Sequence, residues 1–277
     1  MGSGVRPLKR LGQHFLKDLS IAQRIIESME IGAGDHVLEI GPGEGVLTKG
    51  LIAGPAGRIV GVEIDRRLTP WLWKQFGQDK RFELFEEDFL KLDLASLIEG
   101  KKIRVVGNIP YSITTPILFR LLDHRQWIED LTLTVQKEVG ERIVSLPGFK
   151  AYGIPSVLFQ VFGRAEVLFP ISRNAFYPVP EVDSIVLRVV FFKVPAYKIK
   201  DVNFFRRLVK TTFGQRRKML KNTLKAIEKD EDTLRSVSID LRRRPEDLSV
   251  AEFVQLSNEL VRFNTRRSRG GDTVPKK

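Results

Sequence analysis

Residues 36–65 restrict the fold more than any other stretch. His36-Val37-Leu38-Glu39-Ile40 is a short buried-strand pattern, and Gly41-Pro42-Gly43-Glu44-Gly45 follows at once. Helical spacing then runs from about Val46 to Ile52, until Gly54-Pro55-Ala56-Gly57 breaks it. Arg58 to Ile64 is a second strand and ends in Glu63-Ile64-Asp65. Strand, glycine loop, helix, strand and acid, in that order, form the opening half of a dinucleotide-type α/β unit. In open α/β sheets ligands bind at the carboxyl ends of the strands.

The later segments fit such a sheet. Asp18 can cap a helix with Ile21, Ile25, Ile26 and Met29 at helical spacing. A helix is expected over about 68–76, a third strand over Arg81–Phe85 and a fourth over Lys102–Gly107. Pro116 opens a helix, Leu131–Val135 is a fifth strand, and 136–144 continues as helix. Another helix covers Tyr152–Phe162 and a strand covers Glu166–Phe169. Asp183–Val194 alternates over a long strand and is expected to be an antiparallel edge. From Pro195 to about Phe263 the pattern is all helical, with a capping box at Ser249-x-x-Glu252. The expected fold class is α/β, a Rossmann-like sheet with a small all-α C-terminal domain. The expected divisions are a flexible basic arm (1–17), a cofactor-binding catalytic domain (18–195), a helical RNA-binding domain (196–263) and a basic disordered tail (264–277).

The glycine loop bears on the cofactor. A dinucleotide binder wants Gly-x-Gly-x-x-Gly, so that a pyrophosphate sits on the helix N-terminus. Here the third glycine, Gly45, comes one residue early and Val46 takes its place. Glu39 would also repel a phosphate. That pattern favours S-adenosylmethionine, which has no pyrophosphate, over NAD, FAD or a merely structural turn. Glu63 lies about twenty residues past the glycines, where a ribose hydroxyl is held. Asp88, after the third strand, can accept from an adenine amine, or it can cap the next segment.

Charge bears on the partner. Among 277 residues the net charge is +12, and it is clustered. Lys200 to Lys225 carries nine Lys or Arg against one acid, and Met1 to Lys17 carries four and no acid. Such clustering is the footprint of a polyanion, and nucleic acid is favoured over an anionic membrane or a solvated face. The residues expected to touch RNA are Arg206, Arg207, Lys210, Arg216, Arg217, Lys218 and Lys221. No apolar stretch approaches the roughly 20 residues of a membrane helix. The chain has no cysteine, which excludes disulfides and thiol chemistry and suits a cytoplasmic setting. His14, His36 and His124 are scattered, so no metal is expected. Nothing suggests an interface between copies, and a monomer is expected.

The reacting group is sought at Asn108-Ile109-Pro110-Tyr111, where the β-branched run ends in an amide, a proline and an aromatic. An adenine N6 amine is a poor nucleophile because its lone pair is delocalised into the ring. Acceptors for its two N–H protons, such as the Asn108 side chain and the Ile109 carbonyl, localise that pair and stabilise the charge that develops. Tyr111 can stack on the base, and Phe176, in the stiff loop Phe176-Tyr177-Pro178-Val179-Pro180, can close its other face. Each also has a bland reading: a turn amide, a rim aromatic and a hydrophobic plug.

Several stretches occur in order: Gly12-Gln13-His14-Phe15-Leu16, Glu39-Ile40-Gly41-Pro42-Gly43, Glu63-Ile64-Asp65, Asn108-Ile109-Pro110-Tyr111, Gln136-Lys137-Glu138, Phe176-x-Pro178-x-Pro180-x-Val182-x-Ser184 and Phe213-Gly214-Gln215-Arg216-Arg217-Lys218-x-Leu220. Together they resemble the small-subunit ribosomal RNA adenine N6,N6-dimethyltransferases, from about Leu8 to Phe263. The resemblance implies dimethylation of two adjacent adenines in a 3′-terminal hairpin, with S-adenosylmethionine as donor, late in subunit assembly. It implies a cofactor pocket at His14, Leu16, Gly41, Glu63, Asp88 and Asn108. Two other functions compete. One is a related large-subunit adenine methyltransferase of the macrolide-resistance type, and the other is a non-catalytic RNA-binding assembly or transcription factor.

Overall fold

The computed structural model describes residues 4–98 and 100–270, with side chains described as far as Phe263. The chain divides into two compact units. The first comprises residues 1–141 and 164–191, and the second comprises 142–163 and 192–277.

In the first unit β1 (Phe15–Leu16) precedes α1 (Leu19–Ser28). Asp18 caps α1 through its Oδ1, which accepts from the backbone N–H groups of Ser20 and Ile21. Next come β2 (His36–Ile40), α2 (Val46–Ala53), β3 (Arg58–Glu63), α3 (Thr69–Phe76) and β4 (Phe82–Glu86). After them come β5 (Ile103–Asn108), α4 (Thr114–Asp123) and β6 (Ile128–Gln136), and then α5 (Lys137–Val144), whose last three residues fall in the second unit. α6 (Ile154–Phe162) belongs to the second unit. β7 (Gly163–Ile171), β8 (Phe176–Tyr177) and β9 (Ser184–Phe191) return to the first. Seven strands form one sheet in the order β4-β3-β2-β5-β6-β9-β7. The pairs from β4 to β6 are parallel, and β9 runs antiparallel to β6.

Parallel strands must be covered on both faces, so they read as continuous apolar runs. β5 is such a run, buried from Ile103 to Gly107. α1 and α2 pack on one face through Ala22, Ile25, Met29, Leu47 and Leu51, all buried with Val37 and Ile59 of the sheet. Chain order reverses at β2, which lies between β3 and β5. The crevice of the fold is therefore above the carboxyl ends of β2 and β5.

Three expectations for the first unit change. β9 is an inner strand, and β7 takes the edge. The first unit is not continuous from 18 to 195, because α6 clusters with the helical residues. Part of the N-terminal stretch, from Lys9 on, is folded rather than flexible: Phe15 pairs with Tyr177 and Leu16 with Phe176.

The second unit holds α7 (Val202–Gly214), α8 (Leu220–Thr223), α9 (Glu231–Ser236) and α10 (Val250–Gly270). Phe204, Phe205, Leu208 and Val209 of α7 are buried, as their helical spacing demands. Asp201 caps α7 at the Phe204 N–H. The capping box at α10 forms, with Ser249 N–H donating to Glu252 and Glu252 N–H donating to Ser249 Oγ. α10 continues to Gly270, so part of the stretch expected to be disordered, from Asn264 on, is helical; the last seven residues lie outside the described ones. Among the described residues, no helix is long and apolar enough to cross a membrane.

Candidate active site

A cleft opens where the topology requires it. Its wall takes His14 and Leu16 from the N-terminal stretch, Gly41 from the loop after β2, Glu63 from the end of β3, Asp88 after β4, and Asn108 to Tyr111 after β5. The six residues expected to hold a cofactor therefore stand around one space, as do four of the five expected at the reacting group. Phe176 does not. It is 3% exposed and packs in the core with Leu16, and it does not line the cleft.

The glycine loop is shaped by backbone demands. Gly41 has φ +66° and open space where a Cβ would stand, so a ligand can approach its main chain closely. Gly45 has φ +79°, and a Cβ there would lie 2.4 Å from the Phe76 ring. The loop is braced by Glu63. One carboxylate oxygen accepts from Gly43 N–H and the other from Asp65 N–H, each at 2.9 Å. Each oxygen keeps a lone pair for a further donor, such as a ribose hydroxyl.

The cleft is acidic. Glu39, Glu44, Glu63, Glu87 and Asp88 line it, against one arginine, Arg10. Burial pushes the Glu39 carboxyl up to about 7; Thr48 Oγ1 donates to it at 2.7 Å, and the nearby Glu63 charge adds to the rise. Burial also raises Glu63. A cationic ligand would favour the charged form of both. This donor set fits S-adenosylmethionine, which carries a sulfonium and an ammonium and no phosphate, better than a dinucleotide. Among the described residues no three His, Asp or Glu are grouped to hold a metal ion.

Glu39 carries a pH signature. Its folded-state carboxyl titrates above its unfolded one, so the native state holds the extra proton between the two values. Stability in the ligand-free protein then falls as pH rises from about 4.5 to about 7. Glu39→Gln is expected to remove that slope and to raise the unfolding free energy at pH 8 by about 1–3 kcal/mol, with little change at pH 4.5. Urea unfolding of both proteins at the two pH values checks this; parallel profiles would contradict it.

Asn108 ends β5 opposite Thr134 of β6. Its Nδ2 donates to the His14 carbonyl at 2.7 Å. A carbonyl only accepts, so this bond fixes which end of the amide is which and leaves Oδ1 to accept elsewhere. Pro110 O accepts from Ile113 N–H and Thr114 Oγ1, which starts α4 immediately after the turn. The Tyr111 hydroxyl bonds Ser184 Oγ at 2.7 Å, pinning the ring. The His14 imidazole stacks on that ring, with centroids 5.4 Å apart and planes at 25°. Asp88 Oδ1 accepts from Leu90 N–H in a local turn at the cleft wall; among the described residues no helix starts there for it to cap.

The family model for ribosomal RNA adenine dimethylase matches residues 6–262. The chain belongs to the ribosomal RNA adenine dimethylases. It is 43% identical to the ribosomal RNA small subunit methyltransferase A of Pseudomonas aeruginosa over 263 residues, covering 95% of this chain and 97% of that one. It is 45% identical to the protein of the same name from Chlorobium phaeobacteroides, covering 91% and 93%. Among solved structures, a dimethyladenosine transferase from Plasmodium falciparum shares the fold, with a TM-score of 0.77, 24% identity and coverage of 92% and 98%. The 23S rRNA methyltransferase ErmE is similar at a TM-score of 0.70 and 25% identity, with coverage of 89% and 99%.

Residues with no expected role complete the site of this dimethylase. Gln13 Nε2 donates to Asp65 at 2.8 Å, while Gln13 Oε1 accepts from Leu8 N–H. Arg67 forks onto Asp65 and holds its carboxyl down at about 2, with Gln13 adding to the effect. This bracket ties the N-terminal stretch to the end of β3. Gln13 and Asp65 lie inside sequence motifs, but only the fold shows that they meet.

Among the residues expected to touch RNA, Arg207, Lys210, Arg217, Lys218 and Lys221 are exposed, and Arg206 is half-buried. Arg216 is engaged within the protein. Its Nε bonds Glu246 at 2.5 Å, Nη1 donates to Lys150 O at 2.6 Å, and Nη2 donates to Phe149 O at 3.2 Å.

Proposed function

We propose that this protein transfers methyl groups from S-adenosylmethionine to the N6 amines of two adjacent adenines in the 3′-terminal hairpin of small-subunit ribosomal RNA, late in subunit assembly. The observation that carries the reading is Asn108, whose amide is oriented by His14 O so that Oδ1 is an acceptor at the cleft wall. Oδ1 and the Ile109 carbonyl take the two N6 protons and localise the nitrogen lone pair. Tyr111, immobilised by Ser184, is the surface on which the base lies.

The cofactor supplies an electrophilic methyl on a cationic sulfur. Glu63 would hold the ribose and Asp88 the adenine amine, with His14, Leu16, Gly41 and Asn108 completing the pocket. The acidic lining favours the cation, and Gly41 lets it lie against the main chain. No low-pKa base is needed, because the nitrogen becomes acidic once methylated. Phe176 is buried in the core, so it is not assigned to the base's second face.

Small-subunit over large-subunit RNA is supported by identities of 43% and 45% to small-subunit methyltransferases over nearly the whole chain. A purely RNA-binding role is disfavoured by the complete cofactor wall. On this reading the partner is rRNA within the small subunit, and the enzyme works in the cytoplasm as a monomer. Incubation with labelled S-adenosylmethionine and undermethylated small subunits, followed by mass spectrometry of the rRNA, tests it. Dimethyladenosine at two adjacent small-subunit positions is expected; label in the large subunit, or none, would overturn it.

Neutralising Arg217, Lys218 or Lys221 is expected to weaken subunit binding and to reduce the slope of log affinity against log salt by roughly one for each phosphate left without its cation. Filter binding across a salt series reads the slope. An unchanged slope would place these side chains off the RNA.

A further inference from the structure

The loop between α5 and α6 has an unusual construction. Leu146 is 59% exposed and Phe149 is 64% exposed. An ordinary loop with such side chains would fold them inward. This one is held rigidly with them outward. Gly148 N–H donates to Glu246 O at 2.8 Å, Phe149 N–H to Leu146 O at 3.3 Å, and Tyr152 N–H to Phe149 O at 3.0 Å. Arg216 adds two bonds to the carbonyls of Phe149 and Lys150 while paired with Glu246. Gly148 has φ +84° with open space around it, which the turn requires. Below it Tyr152 is fully buried and its hydroxyl donates to Leu248 O. Ordering a loop costs about 1–2 kcal/mol per residue in backbone entropy, so a segment this firmly tied is built to present something.

Its setting indicates the partner. Lys150 is exposed beside Phe149, and Arg217 and Lys218 are exposed directly after the arginine that latches the loop. An exposed aromatic on a rigid support, with Lys150 next to it in the chain and further cations next to its latch, is what an unpaired nucleotide stacks on while its phosphates are neutralised. The clustered positive charge of this segment favours a nucleic acid over a protein partner.

We propose that Phe149, presented by the Arg216-latched loop, is a stacking platform for one unpaired nucleotide of the small-subunit RNA, separate from the target adenines. This rests on the functional reading above. Arg216 is then a positioning residue that builds the platform. The aromatic face supplies a stacking contact that lysines and arginines alone do not.

Full-length Phe149→Ala, Phe149→Leu and Phe149→Trp proteins would be titrated onto undermethylated small subunits by filter binding, with methyl transfer and cofactor binding measured in parallel. Loss of a single base stack is expected to weaken binding roughly 5- to 150-fold in Phe149→Ala. Phe149→Leu should be weakened similarly. Phe149→Trp should bind like wild type, with the emission of the added indole quenched on binding. Cofactor affinity should be unchanged in all three. Undiminished binding by Phe149→Ala, with wild-type methylation intact, would overturn the platform alone. Wild-type affinity in Phe149→Leu with loss in Phe149→Ala would mean an apolar protein contact and would also overturn it. A wild-type protein that neither binds nor methylates the subunits would overturn the functional reading and the platform with it.

Discussion

Asn108→Ala is expected to lower kcat by roughly 100- to 1,000-fold, the size seen when one preorganised polar partner of a developing charge is removed. Affinity for the small subunit should barely change, because the exposed cations assigned to the RNA lie in the other unit. The cofactor KM should rise modestly, since Nδ2 of Asn108 also tethers the His14 carbonyl. Asn108→Asp sharpens the test. A carboxylate keeps the acceptor but cannot donate to His14 O, so it would have to turn or protonate to stay in place. Single-turnover methylation with saturating subunits reads the chemical step directly. Equal losses in turnover and RNA affinity, in either variant, would contradict the assigned role.

Asn108 is legible in the sequence because two rules converge on it. A β-branched run needs a stop, Pro110 provides one, and an amide at the carboxyl end of a parallel strand faces a ligand site. The glycine loop and Glu63 are legible for the same kind of reason, since spacing alone puts them at the end of neighbouring strands. Phe176 is not. Side chains alternate in β8, so Phe176 faces the core and Tyr177 faces out, and which way the pair points is set by its register with Leu16 and Phe15. Those partners belong to the N-terminal stretch, far away in the chain, whose charge suggests only a flexible arm.

Charge clustering points to a class of partner but not to the duty of each residue. Arg216 looks in the sequence like its neighbours Arg217 and Lys218, yet it is turned inward by Glu246, thirty residues on. Long-range pairing of that kind has no local signature. α6 is a parallel case: its apolar pattern says that it is buried, not which unit buries it. The misplaced edge has the same origin, because β7 and β9 both read as strands and only the hydrogen-bonding order tells which lies outside.

Arg104→Ala is expected to destabilise the fold by about 3–5 kcal/mol, the usual effect of removing one partner from a buried ion pair. Arg104 hides in the apolar run of β5, only 8% exposed. Its Nε and Nη2 fork onto Asp130 of β6 at 2.9 and 2.6 Å, and Nη1 bonds Asp35 at 2.9 Å. It also donates to the carbonyls of Met29 and Glu30 at the end of α1. Hydrogen bonding to Asp130 holds the guanidinium more firmly protonated than usual. Without it Asp130 keeps, among the described residues, the ion pair with Arg188 at 3.4 Å, and the carbonyls lose the Arg104 donor. Against the roughly 5–15 kcal/mol by which a domain is stable, that loss is a large fraction. The network lies at the start of β5, whereas the cleft lies at its end, so the two failures should separate. Urea unfolding should show a much lower midpoint for Arg104→Ala, while kcat of the folded fraction at low temperature stays near wild type. Asn108→Ala should show the reverse, an unfolding midpoint close to wild type with turnover lost. If Arg104→Ala instead lost turnover at unchanged stability, the network would have to reach the cleft through β5, and the division between scaffold and site drawn along that strand would be wrong.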